Sequence, residues 1–288
     1  MLLETPLQTS DFTLLDTGHG YRLEQWGPYI LKRPDPQIIW QNSLPDSTWQ
    51  RAGAVFEPAK DEVKGRWILK QKLPEQWAIQ ITGLRFYIKL SPFKHTGVFP
   101  EQAAQWEWLR QRLKSTPGKP KILNLFAYTG GASLALAKLG AFVTHVDASK
   151  PSLAWAKDNQ VLNQLPENSI RWILDDAVKF VRREIKRGAF YDGIIMDPPA
   201  FGHGASGRTW KFNRDLPSLL HDCVQLLSKP AKFLLVNGYA TNSSALALNN
   251  LLEDALAGRP NKLEFGELCL KQKTGRLIST GIFARAEL

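Results

Sequence analysis

Lys121-Ile-Leu-Asn-Leu-Phe-Ala-Tyr-Thr-Gly-Gly-Ala-Ser133 decides how this 288-residue chain folds. Ile122, Leu123, Leu125 and Phe126 make a short apolar strand, and Thr129, Gly130 and Gly131 then permit a tight turn into the small-residue helix Ala132 to Leu139. A second apolar run, Val143-Thr-His-Val-Asp147, ends in a carboxylate about one strand-helix-strand unit later. A fourth run ends in Ile194-Ile-Met-Asp-Pro-Pro-Ala-Phe201. Three strand ends of this kind, in this order, describe a nucleotide-type ligand site at the carboxyl edge of a parallel sheet.

The turn separates two ligand classes. A dinucleotide needs Gly-x-Gly-x-x-Gly, because its pyrophosphate must approach the backbone closely and rest on a helix terminus. That spacing is absent here. Phe126-Ala-Tyr-Thr-Gly-Gly131 instead suits an adenosine carrying an amino acid tail, whose ammonium and carboxylate need only carbonyls, amides and hydroxyls. S-adenosylmethionine is such a ligand, and methyl transfer is its chemistry. On this reading Phe126, Tyr128, Thr129 and Gly130 cradle the ligand, and the helix start offers free amides and a positive dipole end. Asp147, with Ala148 and Ser149 beside it, takes the ribose hydroxyls. Asp176, at the end of the third strand beside Ala177, is expected to accept from the adenine amine, with a helix N-cap as its alternative role.

Around these strands the pattern alternates regularly. Strands are expected at 121–126, 142–147, 170–174, 191–197 and 231–236, with helices at 131–139, 150–163, 177–187, 215–228 and 243–257. Such repeats require a mostly parallel α/β sheet with helices on both faces. Two further strands near 262–271 and 276–285 are joined only by Gln272-Lys-Thr-Gly275, too short for a crossover, so they form an antiparallel hairpin at one edge. Residues 1–95 carry short β-compatible runs broken by Gly and Pro and are expected to form a small β-rich domain. A helix from about Pro100 to Lys114 leads into the Rossmann-like domain, residues 96–288. Seven of the ten tryptophans lie in the first 108 residues. They are expected to fill core, with a base-stacking platform as the alternative.

Composition narrows the function. A net charge of +10 and a pI near 9.6 favour a polyanionic partner, since Lys and Arg neutralise phosphates. Most of the excess follows Thr116, where about 22 basic residues face 15 acidic ones. Two cysteines, Cys223 and Cys269, make neither a disulfide framework nor a zinc cluster. The five histidines show no ligand spacing, and no metal is expected. Met1 to Ser10 lacks a basic start and an apolar core, and no run approaches the ~20 apolar residues of a membrane span. A cytoplasmic protein is expected.

The chemistry is expected at Asp197-Pro198-Pro199-Ala200-Phe201. Consecutive prolines fix φ and remove backbone donors, leaving carbonyls to face a substrate. Such a loop holds an amine or base edge in line with a sulfonium methyl, and Phe201 is placed to stack on an extruded base. His203, Arg208, Lys211 and Arg214 follow as candidate phosphate contacts. Arg182, Arg183, Lys186 and Arg187 form a second cluster that reads as a solvated helix face.

These motifs resemble the bacterial 23S rRNA (cytosine-carbon-5) methyltransferase family and its relatives that methylate guanine nitrogen 7. The resemblance covers roughly residues 93–285, through Phe93-Lys-His-Thr-Gly-Val-Phe-Pro-Glu-Gln102, Asn124 to Gly131, His145-Val-Asp-Ala-Ser149 and Asp197 to Phe201. It implies that Phe99 and Gln102 sit at the methionine end of the cofactor and that the substrate is RNA, ribosomal above all. Members that methylate carbon 5 of cytosine carry a nucleophilic cysteine just after the fifth strand. Here that position reads Val236-Asn-Gly-Tyr-Ala240, so transfer to a ring nitrogen or exocyclic amine is expected, with Asn237 and Tyr239 orienting the base. Larger members also begin with a separate RNA-binding module, whereas about 95 residues here hold one small β domain. The competing readings are a methyltransferase acting on a small molecule or protein, whose activity would ignore salt, and a non-catalytic S-adenosylmethionine or RNA binder.

Overall fold

The computed structural model describes residues 1–6, 11–59, 64–114, 116, 118–203 and 209–288. The chain forms two compact units, one of residues 1–4, 104–268 and 279–288, the other of residues 5–103 and 269–278. A single cut after residue 95 does not describe this arrangement, because Met1–Glu4 joins the larger unit and Cys269–Ile278 the smaller.

After β1 (Leu2–Glu4), the smaller unit is built from β2 (Phe12–Gly18), β3 (Tyr21–Trp26), β4 (Tyr29–Pro34), the one-turn α1 (Asp46–Trp49), β5 (Ala54–Pro58), β6 (Gly65–Leu69), β7 (Trp77–Ile81) and β8 (Leu84–Ile88). β2 to β6 form a sheet in chain order, and β7 and β8 form a separate hairpin. Alternation explains the hairpin: Trp77, Ile79 and Ile81 turn inward while Ala78 and Gln80 face out. Trp26 is fully buried, packs edge-on against Phe12 at 4.7 Å, and accepts the Trp77 indole N–H at its carbonyl. These two indoles fill core rather than present a platform.

A 3-10 turn at Pro100–Gln102 leads into α2 (Ala103–Leu113), where the sequence pattern placed one continuous helix. The larger unit then runs β9 (Lys121–Leu125), α3 (Gly131–Lys138), β10 (Phe142–Asp147), α4 (Lys150–Leu162), β11 (Ile170–Leu174), α5 (Ala177–Lys186) and β12 (Gly193–Met196). It continues with β13 (Phe201–His203), β14 (Thr209–Lys211), α6 (Phe212–Gln225), β15 (Phe233–Gly238), α7 (Ala245–Leu256), β16 (Lys262–Lys271) and β17 (Leu277–Glu287).

The main sheet has the order β1-β16-β17-β15-β12-β9-β10-β11. β9, β10, β11, β12 and β15 pair in parallel, and β17 runs antiparallel to β15. β9 and β10, β12 and β15 are buried almost end to end, as parallel strands covered on both faces must be. The terminal hairpin is present but is not the edge. β1 pairs in parallel with β16 and takes that place. Gly266 makes this possible, because a Cβ there would lie 1.9 Å from the Leu2 carbonyl oxygen. Strand order reverses at β9 and β12, which puts a crevice at their carboxyl ends.

Candidate functional site

The turn leaving β9 is strained. Phe126, Tyr128 and Gly130 have φ of 55°, 49° and 90°, alternating with Ala127 and Thr129. Left-handed backbone at a non-glycine residue costs about 1–3 kcal/mol and persists only where its surroundings hold it. Alternation of this kind also turns successive amides toward one concavity. The surroundings are specific here: Ala127 N–H donates to the Val146 carbonyl at 3.1 Å, and Asn159 of α4 donates to the Thr129 carbonyl at 3.1 Å. Gly131 is required because a Cβ there would meet the Trp106 ring at 2.6 Å. Gly130 caps α3 without any side-chain acceptor, so its first amides remain for a ligand.

Beneath the turn lies a polar cluster the motif reading missed. Asn124 Nδ2 donates to Ser133 Oγ at 2.9 Å, and Ser133 Oγ lies 3.0 Å from His145 Nδ1. All three are buried, and Asn124 and His145 are register partners on β9 and β10. Burial pushes the His145 imidazole down to about 3, against a smaller pull from the Tyr128 backbone. His145 is therefore neutral at pH 7, and its ring also packs on Trp172 at 4.6 Å. The signal was only partial: Asn124 and His145 are each a polar residue within a largely apolar strand, whereas Ser133 lies on α3.

Asp147 ends β10 with its carboxylate aimed at this turn. Oδ2 accepts from Tyr128 N–H and Oδ1 from Ser149 N–H, both at 2.8 Å. A carboxylate offers about four acceptor positions, so capacity remains for two hydroxyls. Burial pushes its pKa up, and the two amides oppose that. Ala148 and Ser149 are exposed beside it, and Ser149 caps α4 by accepting from Ser152 N–H at 3.3 Å. Concave amides, an uncapped helix start and a carboxylate with spare acceptors form a donor set that suits an adenosine with an amino acid tail.

Asp176 is the N-cap of α5, accepting from Lys179 N–H at 3.0 Å, and Ala177 is the first, buried residue of that helix. The alternative role weighed for Asp176 is thus realised, with its second oxygen not committed to that cap. Its neighbour Asp175 is engaged by Arg183.

The loop after β12 is tied back to the turn. Asp197 N–H donates to the Leu125 carbonyl at 3.3 Å. Pro198 is buried and Pro199 exposed, and the Pro199 carbonyl accepts from Trp210 Nε1 at 2.8 Å. Trp210 in turn packs against Phe126 at 5.2 Å. One of the expected free carbonyls is therefore used to brace the loop. Phe201 begins the β13–β14 hairpin and leaves 71% of its surface exposed, an unusual position for phenylalanine.

The basic residues that follow differ in kind. Arg208 lies outside the described residues, as does the side chain of His203. Lys211 is exposed, and its backbone amide donates to Asp215. Arg214 is held by Asp215 at 2.7 Å and by the Thr209 carbonyl, which lowers its value as a phosphate contact. On α5, Arg182 pairs with Asp222, Arg183 with Asp175 and Arg187 with Glu184. The three arginines are thus paired with carboxylates, and Arg182, Arg183, Lys186 and Arg187 are all exposed, as expected of a solvated face. Asn237 is buried at the end of β15, and Tyr239 is half-buried against Ala104, Leu268 and Phe283. Cys223 is fully buried in α6, where burial and Asp222 raise its pKa, and Cys269 is buried as well. Phe99 and Gln102 belong to the other unit, where Phe99 meets His95 edge-on at 5.2 Å and Gln102 is buried in the 3-10 turn.

A profile described as S-adenosylmethionine-dependent methyltransferase matches residues 55–267. The ribosomal RNA large subunit methyltransferase K/L of Shewanella sp. strain MR-4 is 31% identical over 221 residues, 73% of this chain and 30% of that protein. Its counterpart in Shewanella baltica strain OS155 is 34% identical over 220 residues, with the same coverage. This chain thus spans less than a third of the length of these curated relatives. The crystal structure of a SAM-dependent methyltransferase from Agrobacterium tumefaciens matches it with a TM-score of 0.95 at 40% identity, covering 100% of this chain and 93% of that one.

Proposed function

The chain belongs to the S-adenosylmethionine-dependent methyltransferase family, and on that premise we propose that it methylates a base of ribosomal or other RNA in the cytoplasm. The observation that carries this reading is Phe201: an aromatic ring, 71% exposed, on the braced loop that continues from Asp197. An exposed ring at that position suits a base withdrawn from its stack. Among the described residues no helix is long and apolar enough to cross a membrane.

Phe126, Tyr128, Thr129 and Gly130 would hold S-adenosylmethionine through the turn amides, Asp147 with Ala148 and Ser149 would hold its ribose, and Asp176 with Ala177 its adenine. Bound there, the cofactor supplies a methyl group already activated on a sulfonium. What remains for the chain is positioning, and correct placement alone supplies much of such a rate enhancement. Asp197 accepts a proton-bearing edge of the base, Pro198 and Pro199 keep the loop from yielding, and Phe201 stacks on the ring. Lys211, with His203 and Arg208, offers charge for the flanking phosphates. Asn237 and Tyr239 orient the base.

The covalent route to carbon 5 of cytosine has no nucleophile in this assignment. Both thiols are buried, and that of Cys223 is held protonated. A ring nitrogen or exocyclic amine needs no covalent step. Intact-mass measurement with fluorocytosine-containing RNA should show no protein-RNA adduct; a stable adduct would overturn this part. The RNA assignment is tested by ribosomal RNA binding over a range of salt. Affinity should fall steeply with salt, by about 0.7–0.9 in the log-log slope per neutralised phosphate. Binding indifferent to salt would refute it.

A further inference from the structure

A second cationic surface lies in the smaller unit, on the turn between β16 and β17. Lys271-Gln-Lys-Thr-Gly-Arg276 places three basic residues in six positions. Lys271, Lys273 and Arg276 are exposed, while Gln272 between the two lysines is 1% exposed. Among the described residues, none of the three cations has a carboxylate partner. The arginines of α5 provide the contrast, since Arg182, Arg183 and Arg187 are each paired. Three unneutralised charges on a rigid turn are a standing attraction for polyanion.

The turn is held from below by a buried network. Gln272 Nε2 donates to Asp16 Oδ1 at 2.7 Å, and Thr17 Oγ1 donates to Gln272 Oε1 at 2.8 Å. Lys273 N–H donates to the Leu14 carbonyl at 3.1 Å. Asp16 has no exposed surface, and it also accepts from the amides of Ser43 and Leu44 and from Trp49 Nε1. Thr17 Oγ1 receives the Trp40 indole N–H at 3.0 Å, so the same network fixes an aromatic ring beside the charges. Gly18 admits this loop, because a Cβ there would lie 2.2 Å from Asn42 N.

Trp40 is half-buried, the Arg276 guanidinium lies over its ring at 5.5 Å, and its neighbour Ile39 is 90% exposed. Ile39 thus places a large open aliphatic side chain next to an arginine-stacked indole and to cations that have no carboxylate partner among the described residues. This combination matches what single-stranded nucleic acid requires: cations for phosphates and an apolar, aromatic surface for base faces.

We propose that Lys271, Lys273 and Arg276, with Trp40 and Ile39, form an RNA-docking surface on the smaller unit, built from residues other than those of the methyl-transfer site. The cations take backbone phosphates, and an unpaired base lies against Ile39 and the Trp40 edge. The proposal rests on the RNA reading of the function.

The test compares wild type with the triple variant Lys271→Ala, Lys273→Ala, Arg276→Ala and with Ile39→Asp, all at exposed positions. Dissociation constants for ribosomal RNA are measured across salt, alongside S-adenosylmethionine binding. The triple variant should bind RNA roughly tenfold more weakly, with the slope of log affinity against log salt reduced by about 2, and with cofactor affinity unchanged. Ile39→Asp should weaken binding in the same direction. A control pair, Arg182→Ala with Arg187→Ala, should leave both constants unchanged. If wild type binds RNA with a steep salt slope and the triple variant matches it, the surface is refuted while the RNA reading stands. If wild type shows no salt-dependent binding, the RNA reading itself falls. Loss on assembled ribosomal subunits but not on naked RNA would overturn the proposal in favour of a protein contact.

Discussion

Lowering the pH from 7 to 5 should unfold the larger unit more easily through a single histidine. His145 titrates at about 3 in the folded chain, against 6.5 when exposed, because burial disfavours its charged form. Between those values the unfolded chain binds more protons, so the histidine's contribution is complete above 6.5 and is lost as pH falls. Each unit of pH in that window costs about 1.4 kcal/mol, and the step from 7 to 5 crosses about 1.5 units below 6.5. The loss is therefore about 2 kcal/mol, and it does not depend on the folded value so long as that lies below about 4. Urea unfolding of wild type and His145→Gln at both pH values isolates the effect, since every other titrating group, including the similarly depressed His95, is common to both. The variant should be less stable at pH 7, by about 1–3 kcal/mol, through lost contact with Ser133 and Trp172. Its further loss on acidification should be smaller than that of wild type by about 2 kcal/mol. Equal losses in the two proteins would refute the assignment of His145 as a buried neutral brace beneath the turn.

Three other outcomes follow from the same geometry. Asp147→Ala should weaken S-adenosylmethionine binding about 10- to 100-fold, the scale of hydrogen bonds to a charged group, while Asp197→Ala should mainly lower turnover; equal binding losses would contradict the division of roles. Phe201→Ala should reduce methyl transfer by roughly tenfold while shifting the unfolding free energy by less than about 0.5 kcal/mol, because the ring is exposed and acts on the substrate. Gly131→Ala should destabilise by about 1–3 kcal/mol and weaken cofactor binding, since its methyl must displace the Trp106 ring; an unperturbed variant would mean that the turn is looser than described.

The sheet was legible because its signals are local. Short apolar runs such as Ile122–Leu125 and Ile194–Met196, closed by Gly or Pro turns, read as buried strands, and the short link at Gln272–Gly275 forces an antiparallel return. β1 was not legible, since Leu2–Glu4 is short and exposed, and its place depends on a distant glycine, Gly266. The β13–β14 hairpin was hidden for the same reason: three-residue strands carry too little periodicity. At the site, the positions of Asp147 and Asp197 at strand ends could be read from spacing. What each side chain does with its remaining atoms could not. Arg214 reads as a free cation until its ion pair with Asp215 is seen, and for Asp176 the sequence leaves both a ligand contact and a helix N-cap open until the bond from Lys179 N–H is drawn. The Asn124–Ser133–His145 cluster joins residues 9 and 12 positions apart and becomes visible only when β9 and β10 are set in register.

The central claim is that this methyltransferase acts on an RNA base without a covalent step. Transfer of tritiated methyl from S-adenosylmethionine to undermethylated ribosomal RNA, naked and in assembled subunits, with mass spectrometry of the digested nucleosides, tests it most directly. The account predicts a single labelled nucleoside, methylated on a nitrogen. Label on carbon 5 of a pyrimidine, or no label from enzyme that binds its cofactor, would contradict it.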